Sequence, residues 1–436
     1  MELNSVDSCI SDFPYAIEFM GKNWDSSKCW NKGNGKHGTF KGTGYTGKKR
    51  PAFYQNTNED KLAFYDWCYS RAEKLYPIMK PGGYVAIFGH PKTNHRMKCA
   101  FEDAGFKIVE EIDWLYLNGM PKCQDISKLF DKAAGAKRKI VGTGKWHSDG
   151  RMTAFGTNGI YNQTSKDMVG DGKWQTNPAT ENAKKWNGWR TSGLKPAHEP
   201  ITIFQKPLEG TYIQNIEKYG CGGMNIDACR VGVREKQRFT GAKKGTVTDY
   251  GNYYYDKSTI SLPSGRFPAN IILDEGMAKE LDKQTGIRQS GSSNGNAKVG
   301  ESSNGVISPM RRGNLISRND VGGGSKEFTI IKYCPKVSPS ERKLPNGERN
   351  PHVTLKPVKL IKWLIKLLTP VDGTTIDITA GSCTAGVAAT LLNLYEGYNL
   401  KWINIELLNT KEDPYCDVGK MRVEEFYKDK DTKATR

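Results

Sequence analysis

The sequence predicts a mixed α/β fold in which strands and helices alternate around a parallel sheet. Near the C-terminus, Thr374 to Ile378 is mostly β-branched and is typical of a buried strand. Gly386 to Leu392 then favours a helix, and Leu400 to Ile405 a second strand that ends on Glu406. The same alternation occurs nearer the N-terminus, over Tyr84 to Phe88, Asn94 to Ala104 and Lys107 to Tyr116. Alternation of this kind predicts a parallel sheet with helices on its faces.

Two further elements precede this N-terminal run. A short strand is predicted within Met1 to Tyr15, and Pro14 must end it because proline cannot continue the hydrogen-bond ladder. A helix is predicted over Glu59 to Met79, with an apolar face. Since the chain begins on a strand, we expect another strand of its sheet to come from elsewhere in the sequence.

The turn between the C-terminal strand and helix, Ala380 to Thr384, contains only small residues, which lets a backbone pass close to a ligand. Glu406 follows it at roughly the distance, about 20 residues, at which such folds bind ribose hydroxyls. A nucleotide triphosphatase is disfavoured because Val387 stands where a phosphate loop requires Lys. A purely structural turn explains these residues equally well.

Composition narrows the class of protein. The 436 residues carry a formal net charge of +18, and nucleic-acid phosphates are the commonest target of such a field. None of the ten cysteines forms a C-x-x-C pair, so neither a metal site nor a disulfide framework is predicted. The sequence shows no leader and no apolar run long enough to cross a bilayer, which favours a cytoplasmic protein without membrane contact.

The middle of the chain differs from both ends. From Ala133 to Lys195 it is polar, basic and rich in Gly, Asn and Trp, before Pro200 to Phe204 returns as an apolar strand and Leu208 to Tyr219 as a helix. The basic stretch contains tryptophans that could stack on bases or pack in a small core, namely Trp174, Trp186 and Trp189. We expect an insert that carries basic and aromatic groups within an α/β frame.

A second motif lies at the N-terminal strand, where Asp12, Phe13, Pro14 and Tyr15 follow one another. A carboxylate, an outward carbonyl and an aromatic ring in this order suit a planar exocyclic amine. The two oxygens accept its N–H bonds, and the ring stacks on the base. An ordinary strand-to-turn exit has the same residue types.

The order of motifs resembles the β-class DNA amino-methyltransferases, especially phage-type enzymes that methylate adenine N6 or cytosine N4. In that class the catalytic motif, usually Asp-Pro-Pro-Tyr, comes first, a target-recognition region follows, and the cofactor motifs come last. Similar stretches here are Val6 to Asp25, Asp113 to Lys122, Lys195 to Val231, Gly265 to Asp274, Asn350 to Pro357 and Thr374 to Gly386. The resemblance covers nearly the whole chain.

The resemblance implies roles for individual residues. Asp12 and the carbonyl of Phe13 would accept hydrogen bonds from the target amine, Pro14 would stiffen the turn, and Tyr15 would stack on the flipped base. Glu406 would bind the ribose hydroxyls of S-adenosylmethionine. Further cofactor contacts are implied for Thr354, Lys356, Pro357, Asp377, Thr379, Ala380, Gly381, Ser382 and Cys383. No metal is implied, because the sulfonium is already an activated methyl donor.

Five positions depart from the family pattern. Phe13 stands where the first Pro is usual, and Thr379 replaces a Phe expected over the cofactor. Cys383 replaces a Gly at a close approach, where a Cβ can push the ligand away. The other two are Val353 and Ile378, each in place of a Pro.

The resemblance therefore predicts a Rossmann-like methyltransferase fold with permuted motif order. Its parts are a catalytic half at 1–120, a target-recognition insert at 121–349 with strands that return to the core near 197–206, and a cofactor half at 350–436. The predicted substrate is double-stranded DNA, with adenine N6 preferred because Asp opens the motif, and a homodimer is plausible for the class. Cytosine N4 methylation, a DNA-binding paralogue without methyl transfer, and an RNA or protein amino-methyltransferase are the alternatives.

Overall fold

A computed structural model describes residues 1–15, 25, 58–117, 123–143, 174–191, 193–232, 265–289, 321–331, 342–352, 354–406 and 414–434. In these ranges the strands are β1 (Val6–Asp12), β2 (Met79–Phe88), β3 (Lys107–Leu115), β4 (Ile140–Thr143), β5 (Trp174–Thr176), β6 (His198–Gln205), β7 (Ile271–Leu273), β8 (Arg288–Gln289), β9 (Val321–Gly322), β10 (Thr329–Ile330), β11 (Thr374–Asp377) and β12 (Lys401–Asn404). The helices are α1 (Asn58–Leu75), α2 (Asn94–Asp103), α3 (Ile126–Ala133), α4 (Glu181–Lys185), α5 (Tyr212–Tyr219), α6 (Glu275–Thr285), α7 (Val358–Leu368), α8 (Thr384–Glu396) and α9 (Tyr415–Ala434). No helix in the described part of the chain is long and apolar enough to cross a bilayer.

One large sheet organises the molecule, and within the described residues it has eight strands in the order β10-β7-β3-β6-β2-β1-β11-β12. β1 pairs in parallel with β2 on one side and with β11, from the far end of the chain, on the other. The expectation that a neighbouring strand comes from elsewhere in the sequence is confirmed. The predicted mixed α/β class is confirmed as well.

The sheet is not wholly parallel, which corrects the prediction from strand–helix alternation. β6 runs antiparallel to both of its neighbours, β2 and β3, whereas every other pair in the sheet is parallel. An apolar strand has the same side-chain pattern in either direction, so the sequence did not reveal this reversal. As a result, the amino end of β6 meets the carboxyl ends of β1, β2, β3, β11 and β12 at one edge, which we call the carboxyl edge.

Helices cover both faces of this sheet. On one face, α7 and α8 pack against Ile10 of β1, and on the other, α1 and α2 pack against Val6 and Cys9 of the same strand. The side chains of Val6, Cys9 and Ile10 are all fully buried. β1 is therefore a central strand covered on both faces, although Asp7, Ser8 and Ser11 are also buried in it.

Two predicted boundaries were wrong. The helix that begins near Glu59 ends at Leu75, and Met79, which is fully buried, already belongs to β2. Pro81 and the two glycines after it lie inside β2 as an irregularity, because the pairing partner of β2 jumps from Val6 with Met79 to Ser8 with Tyr84. The helix predicted from Leu208 begins only at Tyr212, since Thr211 caps it through a reciprocal bond with Gln214.

The insert contributes to the sheet and also forms a separate small unit. β6, β7 and β10 all come from the stretch predicted as the insert and extend the main sheet. Residues 123–143 and 174–191, which we call the basic module, contain α3, α4 and the β4–β5 pair. Asp131 lies buried at the centre of the module, where it accepts hydrogen bonds from Arg138 Nη1 at 2.8 Å and from the Thr180 amide at 2.9 Å. Within the predicted insert, residues 144–173 and 290–320 fall outside the described residues.

Candidate active site

The two sequence motifs meet at the carboxyl edge of the sheet. Asp12 ends β1, and Asp377 ends the neighbouring strand β11, although the two lie at opposite ends of the chain. Ligands of open α/β sheets bind outside the carboxyl ends of the strands. Adjacent parallel strands therefore bring the predicted catalytic turn and the predicted cofactor loop to one place.

Phe13 uses its side chain for the core rather than for the site. Its ring is 2% exposed, lies edge-on to Trp67 at 5.0 Å between ring centroids, and contacts Phe101 at 5.9 Å. Tyr15 is half-buried, and its carbonyl accepts a hydrogen bond from Thr93 Oγ1 at 2.9 Å. Packing of Phe13 and this bond to Thr93 hold the turn on either side of Pro14. A Phe in place of the usual Pro thus anchors the turn by apolar contact.

Lys356 is the centre of the charged part of the site. Its buried ammonium lies 2.7 Å from Asp12 Oδ2, 2.9 Å from Tyr15 Oη and 3.4 Å from Glu199 Oε2. The same nitrogen is 5.0 Å from the centroid of the Phe88 ring. One lysine therefore connects the catalytic turn with β6 and with the segment that leads into α7.

Only one of the two carboxylate oxygens of Asp12 has a hydrogen-bond partner within the described residues, and we call this carboxylate half-used. Oδ2 binds Lys356, whereas Oδ1 is buried and accepts no hydrogen bond from any residue that the structure describes. A buried acceptor without a donor is unfavourable in the free protein, by about 1–3 kcal/mol. Asp12 Oδ1 is thus prepared to accept an N–H group of a ligand.

Burial and charge shift the ionisation of the groups around Lys356. Burial raises the pKa of Tyr15, and the nearby carboxylates Asp12 and Glu199 raise it further. Burial also raises the pKa of Glu199, although the Lys356 ammonium opposes this shift. For Lys356 itself, burial lowers the pKa, but Asp12 and Glu199 outweigh it and the net shift is upward. The lysine is therefore held as a cation and Tyr15 as a neutral phenol.

Ser11 and Thr379 join the catalytic turn to the cofactor loop by hydrogen bonds. Ser11 Oγ donates to Asp377 Oδ1 at 2.5 Å and accepts from the Thr379 amide at 3.2 Å. Thr379 Oγ1 in turn donates to the carbonyl of Asp12 at 3.0 Å. The Thr that replaces the expected Phe thus connects the loop directly to Asp12.

Asp377 is buried beneath the loop, and burial raises its pKa to about 7, although bonds from Ser11 and the Thr379 amide oppose this shift. Asp12 and Glu406 raise it further because they carry like charge. The loop therefore contains a carboxyl group that titrates near neutral pH and that a nearby cation would favour in its ionised form.

Gly381 and Glu406 form the next part of the loop. Gly381 has φ of +51°, and its amide donates to Glu406 Oε2 at 2.6 Å. A Cβ at this position would collide with the imidazole of His352. The Ala380 amide donates to the Ile405 carbonyl at 2.9 Å, so the turn is fixed to the end of β12. Only glycine fits the contact and this backbone conformation together.

Arg422 of α9 binds the part of the loop that contains Ser382 and Thr384. It is buried, and its Nη1 donates to the Ser382 carbonyl at 2.5 Å, to Ser382 Oγ at 3.1 Å and to Thr384 Oγ1 at 3.2 Å. Asn350 Nδ2 also donates to Ser382 Oγ, at 3.0 Å. Ser382 therefore accepts hydrogen bonds from two different parts of the chain, which position the loop.

Cys383, the residue in place of a family glycine, adopts the left-handed conformation with φ of +61°. For a residue with a Cβ this conformation costs about 1–2 kcal/mol. Its thiol lies against Gly419 of α9, where an added Cβ would collide with Cys383 Sγ. The missing side chain at Gly419 makes room for the extra side chain at Cys383.

The structure brings most of the predicted residues together. Asp12, Tyr15 and Lys356 are in direct contact, and the loop from Asp377 to Cys383 and Glu406 lie beside them. Pro357 is buried at the start of α7, and Thr354 is half-buried just before Lys356.

Sequence reasoning missed Ser11, Glu199 and Arg422 at this site. The available signal was weak: a hydroxyl beside the catalytic Asp, an acid directly before a buried strand, and one Arg in the C-terminal helix.

The sequence of this chain is similar to those of known DNA methylases. A family model, N6_N4_Mtase, described as DNA methylase, matches residues 6–410. The type II methyltransferase M.HindIII of Haemophilus influenzae is 26% identical over 242 residues, which cover 52% of this chain and 60% of that protein. The match therefore spans less than two thirds of this relative.

Solved structures give a weaker likeness. The M1.HpyAVI–SAM complex is 12% identical with a TM-score of 0.33, and covers 96% of this chain and 89% of its own. The cytosine-N4-specific PvuII DNA methyltransferase is 12% identical with a TM-score of 0.36, over 97% and 88% of the two chains. The family prediction is confirmed by the family model, which spans nearly the whole chain: this protein belongs to the N6/N4 DNA methylase family.

Proposed function

We propose that this chain transfers a methyl group from S-adenosylmethionine to an exocyclic amine of double-stranded DNA, with adenine N6 as the preferred target. The observation that carries the proposal is the half-used carboxylate of Asp12. Asp12 Oδ1 lacks a hydrogen-bond donor within the described residues. The backbone carbonyl of Asp12 accepts a hydrogen bond from Thr379 of the loop. An acceptor for an amine therefore lies directly beside the proposed cofactor loop.

The residues of the loop fit this cofactor. A sulfonium and an amino group are cationic, and Asp377 and Glu406 place carboxyl groups on either side of a small-residue turn. Glu406 would bind the ribose hydroxyls, and the turn from Ala380 to Ser382 would admit the methionine part. When bound, S-adenosylmethionine supplies a methyl group that is already activated for transfer.

The residues around the amine have distinct proposed roles. Asp12 Oδ1 would accept one N–H of the amine, and the Phe13 carbonyl would accept the other. Both bonds draw the nitrogen towards tetrahedral geometry and expose its lone pair. Tyr15 would stack on the flipped base, and the Lys356 ammonium at 2.9 Å from its Oη fixes the ring. The protein thus contributes mainly orientation and electrostatics.

The basic module supports duplex DNA as the substrate. It leaves the sheet after β3 and returns before β6, so it is attached at the carboxyl edge. Trp189 is 59% exposed and packs edge-on against Trp186, with 5.1 Å between ring centroids. The same module carries exposed lysines, namely Lys132, Lys137, Lys139, Lys184 and Lys185. Basic groups with an exposed aromatic ring suit phosphates and bases. We also propose a cytoplasmic location, and a homodimer stays a prediction of the resemblance.

The test is transfer of labelled methyl from S-adenosylmethionine to unmethylated DNA, with nucleoside analysis, for wild type and Asp12→Asn. The matched control is Asp7→Asn, which removes another buried, lysine-paired carboxylate from the same strand at the opposite edge. We expect label in N6-methyladenine, a loss of about 100- to 1000-fold in Asp12→Asn, and transfer by Asp7→Asn.

Other outcomes would revise the proposal in different ways. Label in N4-methylcytosine would keep the enzyme and replace the target base. Absence of label, with DNA bound but no S-adenosylmethionine bound, would make the chain a DNA-binding relative without activity.

A further inference from the structure

We propose that Glu199 is a positioning residue that gives the amine-binding side of the site a net negative charge. This inference rests on the proposed function. It concerns a residue outside the catalytic turn and the cofactor loop, at the start of a strand that the sequence predicted only as part of the frame.

Glu199 reaches the site because β6 runs antiparallel to the other strands. Its amino end therefore lies at the carboxyl edge, and the Glu199 side chain is only 16% exposed there. Its Oε2 is 3.4 Å from Lys356 Nζ, which is 2.7 Å from Asp12 Oδ2. The lysine thus lies between two carboxylates.

The charge balance follows from this arrangement. Lys356 alone would cancel the charge of Asp12, and Glu199 adds one negative charge to the pair. The titratable groups that face Glu199 are Asp12, Lys356, Tyr15 and Tyr116, and burial raises the pKa of both phenols, so they stay neutral. With Glu199 ionised, the group formed by Asp12, Lys356 and Glu199 carries a net charge of −1.

Methyl transfer makes use of such a charge. As the nitrogen lone pair forms the N–C bond and the S–C bond breaks, positive charge moves from sulfur to the amine nitrogen. One N–H proton then passes to the Asp12 carboxylate and on to solvent. A fixed negative charge in a partly desolvated site stabilises the developing cation without reorganisation of water. Glu199 acts through Lys356 and does not need to touch the base.

A pH dependence follows with a definite sign. Burial raises the pKa of Glu199 above its ordinary range, and Lys356 opposes this shift only in part. Protonation of Glu199 would return the group to neutrality. The rate should therefore fall as the pH drops through the raised pKa of Glu199, and removal of this carboxyl should abolish that part of the profile.

The experiment compares Glu199→Gln and Glu199→Asp with wild type. The matched control is Glu396→Gln, because Glu396 also lies between two lysines, Lys362 and Lys366, at the far end of α8. We expect kcat of Glu199→Gln to fall about 10- to 100-fold, with KM for DNA nearly unchanged. The part of the acid limb that Glu199 causes should be lost, whereas the part that Asp377 causes should stay. Glu199→Asp should recover part of the rate, and Glu396→Gln should keep it.

A binding measurement keeps the inference testable without turnover. S-adenosylmethionine is cationic at sulfur and S-adenosylhomocysteine is not, so the ratio of their Kd values reports the charge of the site. Glu199→Gln should reduce the preference for the charged compound relative to wild type and to Glu396→Gln. Wild-type inactivity with this change in ratio would contradict the proposed function and support the charge role.

Two results would overturn the inference. One is a Glu199→Gln protein with wild-type kcat, pH profile and Kd ratio. The other is a protein that loses DNA and cofactor binding together with its fold, while Glu199→Asp does the same, which would make Glu199 a purely structural residue.

Discussion

Two lysine–aspartate pairs lie at opposite ends of β1, and they differ in the hydrogen bonds of their carboxylates. At the amino end, Asp7 binds Lys80 at 2.7 Å through Oδ1 and the Thr374 amide at 2.7 Å through Oδ2. At the carboxyl end, Asp12 binds Lys356 at the same distance through Oδ2, but its Oδ1 has no donor within the described residues. A saturated pair stabilises the fold, whereas a half-used pair keeps an acceptor for a ligand. Along β1, the two aspartates therefore differ in the hydrogen bonds of their carboxylates and not in residue type.

The largest expected effect breaks the half-used pair. Lys356→Met removes the group that holds Asp12, Tyr15 and Glu199 in place. The carboxylate that would accept the amine then loses its orientation, so we expect kcat to fall about 100- to 1000-fold. Loss of one partner of a buried pair should also reduce the free energy of unfolding by about 3–5 kcal/mol. Labelled methyl transfer and urea unfolding measure the two effects.

Lys80→Met is the matched control for this change. It breaks the saturated pair and should lower stability while kcat stays within about threefold of wild type. If Lys80→Met lost as much kcat as Lys356→Met at equal folded fraction, the distinction between the two pairs would be wrong.

A smaller effect is expected at Arg422, which binds the loop at Ser382 and Thr384. Arg422→Met removes three hydrogen bonds from the loop at Ser382 and Thr384, so we expect a loss of about 2–3 kcal/mol in unfolding free energy. The KM for S-adenosylmethionine should rise about tenfold because the loop is no longer held in place. At saturating cofactor, kcat should stay close to wild type. A fall in kcat with unchanged KM would place Arg422 with Asp12 instead.

The smallest effect concerns packing between Cys383 and Gly419. Gly419→Ala would place a methyl group against Cys383 Sγ and should destabilise the protein by about 1–2 kcal/mol. Gly to Ala within a helix ordinarily stabilises by about 0.5–1 kcal/mol, so the sign is diagnostic. Cys383→Gly in the same chain should remove most of the penalty. Thermal unfolding of the two single variants and the double variant gives the coupling, and additive effects would contradict the contact.

The sequence predicted the elements that carry the site but not all of their contacts. The strand and turn at Asp12, the strand and small-residue loop at Asp377 and the helix after it follow from apolar pattern and residue size. Glu199 could not be predicted, because its role depends on the direction of β6, and an apolar strand looks the same in both directions. At Cys383, the sequence analysis expected the extra side chain to push a ligand away. In the structure, the Cys383 thiol instead lies against Gly419 on α9.

The contact made by Thr379 could not be predicted from the sequence either. Sequence comparison with the family treats it as the loss of a ring over the cofactor. In the structure its hydroxyl binds the carbonyl of Asp12, which no local pattern indicates because the two residues are far apart in the chain. The role proposed for such a residue becomes visible only when its partner is known.

The position of β1 between β2 and β11 has a consequence for biosynthesis. Ser11 and Asp377, which share a hydrogen bond, are 366 residues apart in the chain. At translation rates of about 5–20 residues per second, roughly 20–70 s separate their synthesis. During that interval one side of β1 lacks its partner strand and offers an open edge to other chains. A nascent polypeptide of this protein should therefore depend on chaperones until β11 emerges, and truncation before β11 should yield aggregates.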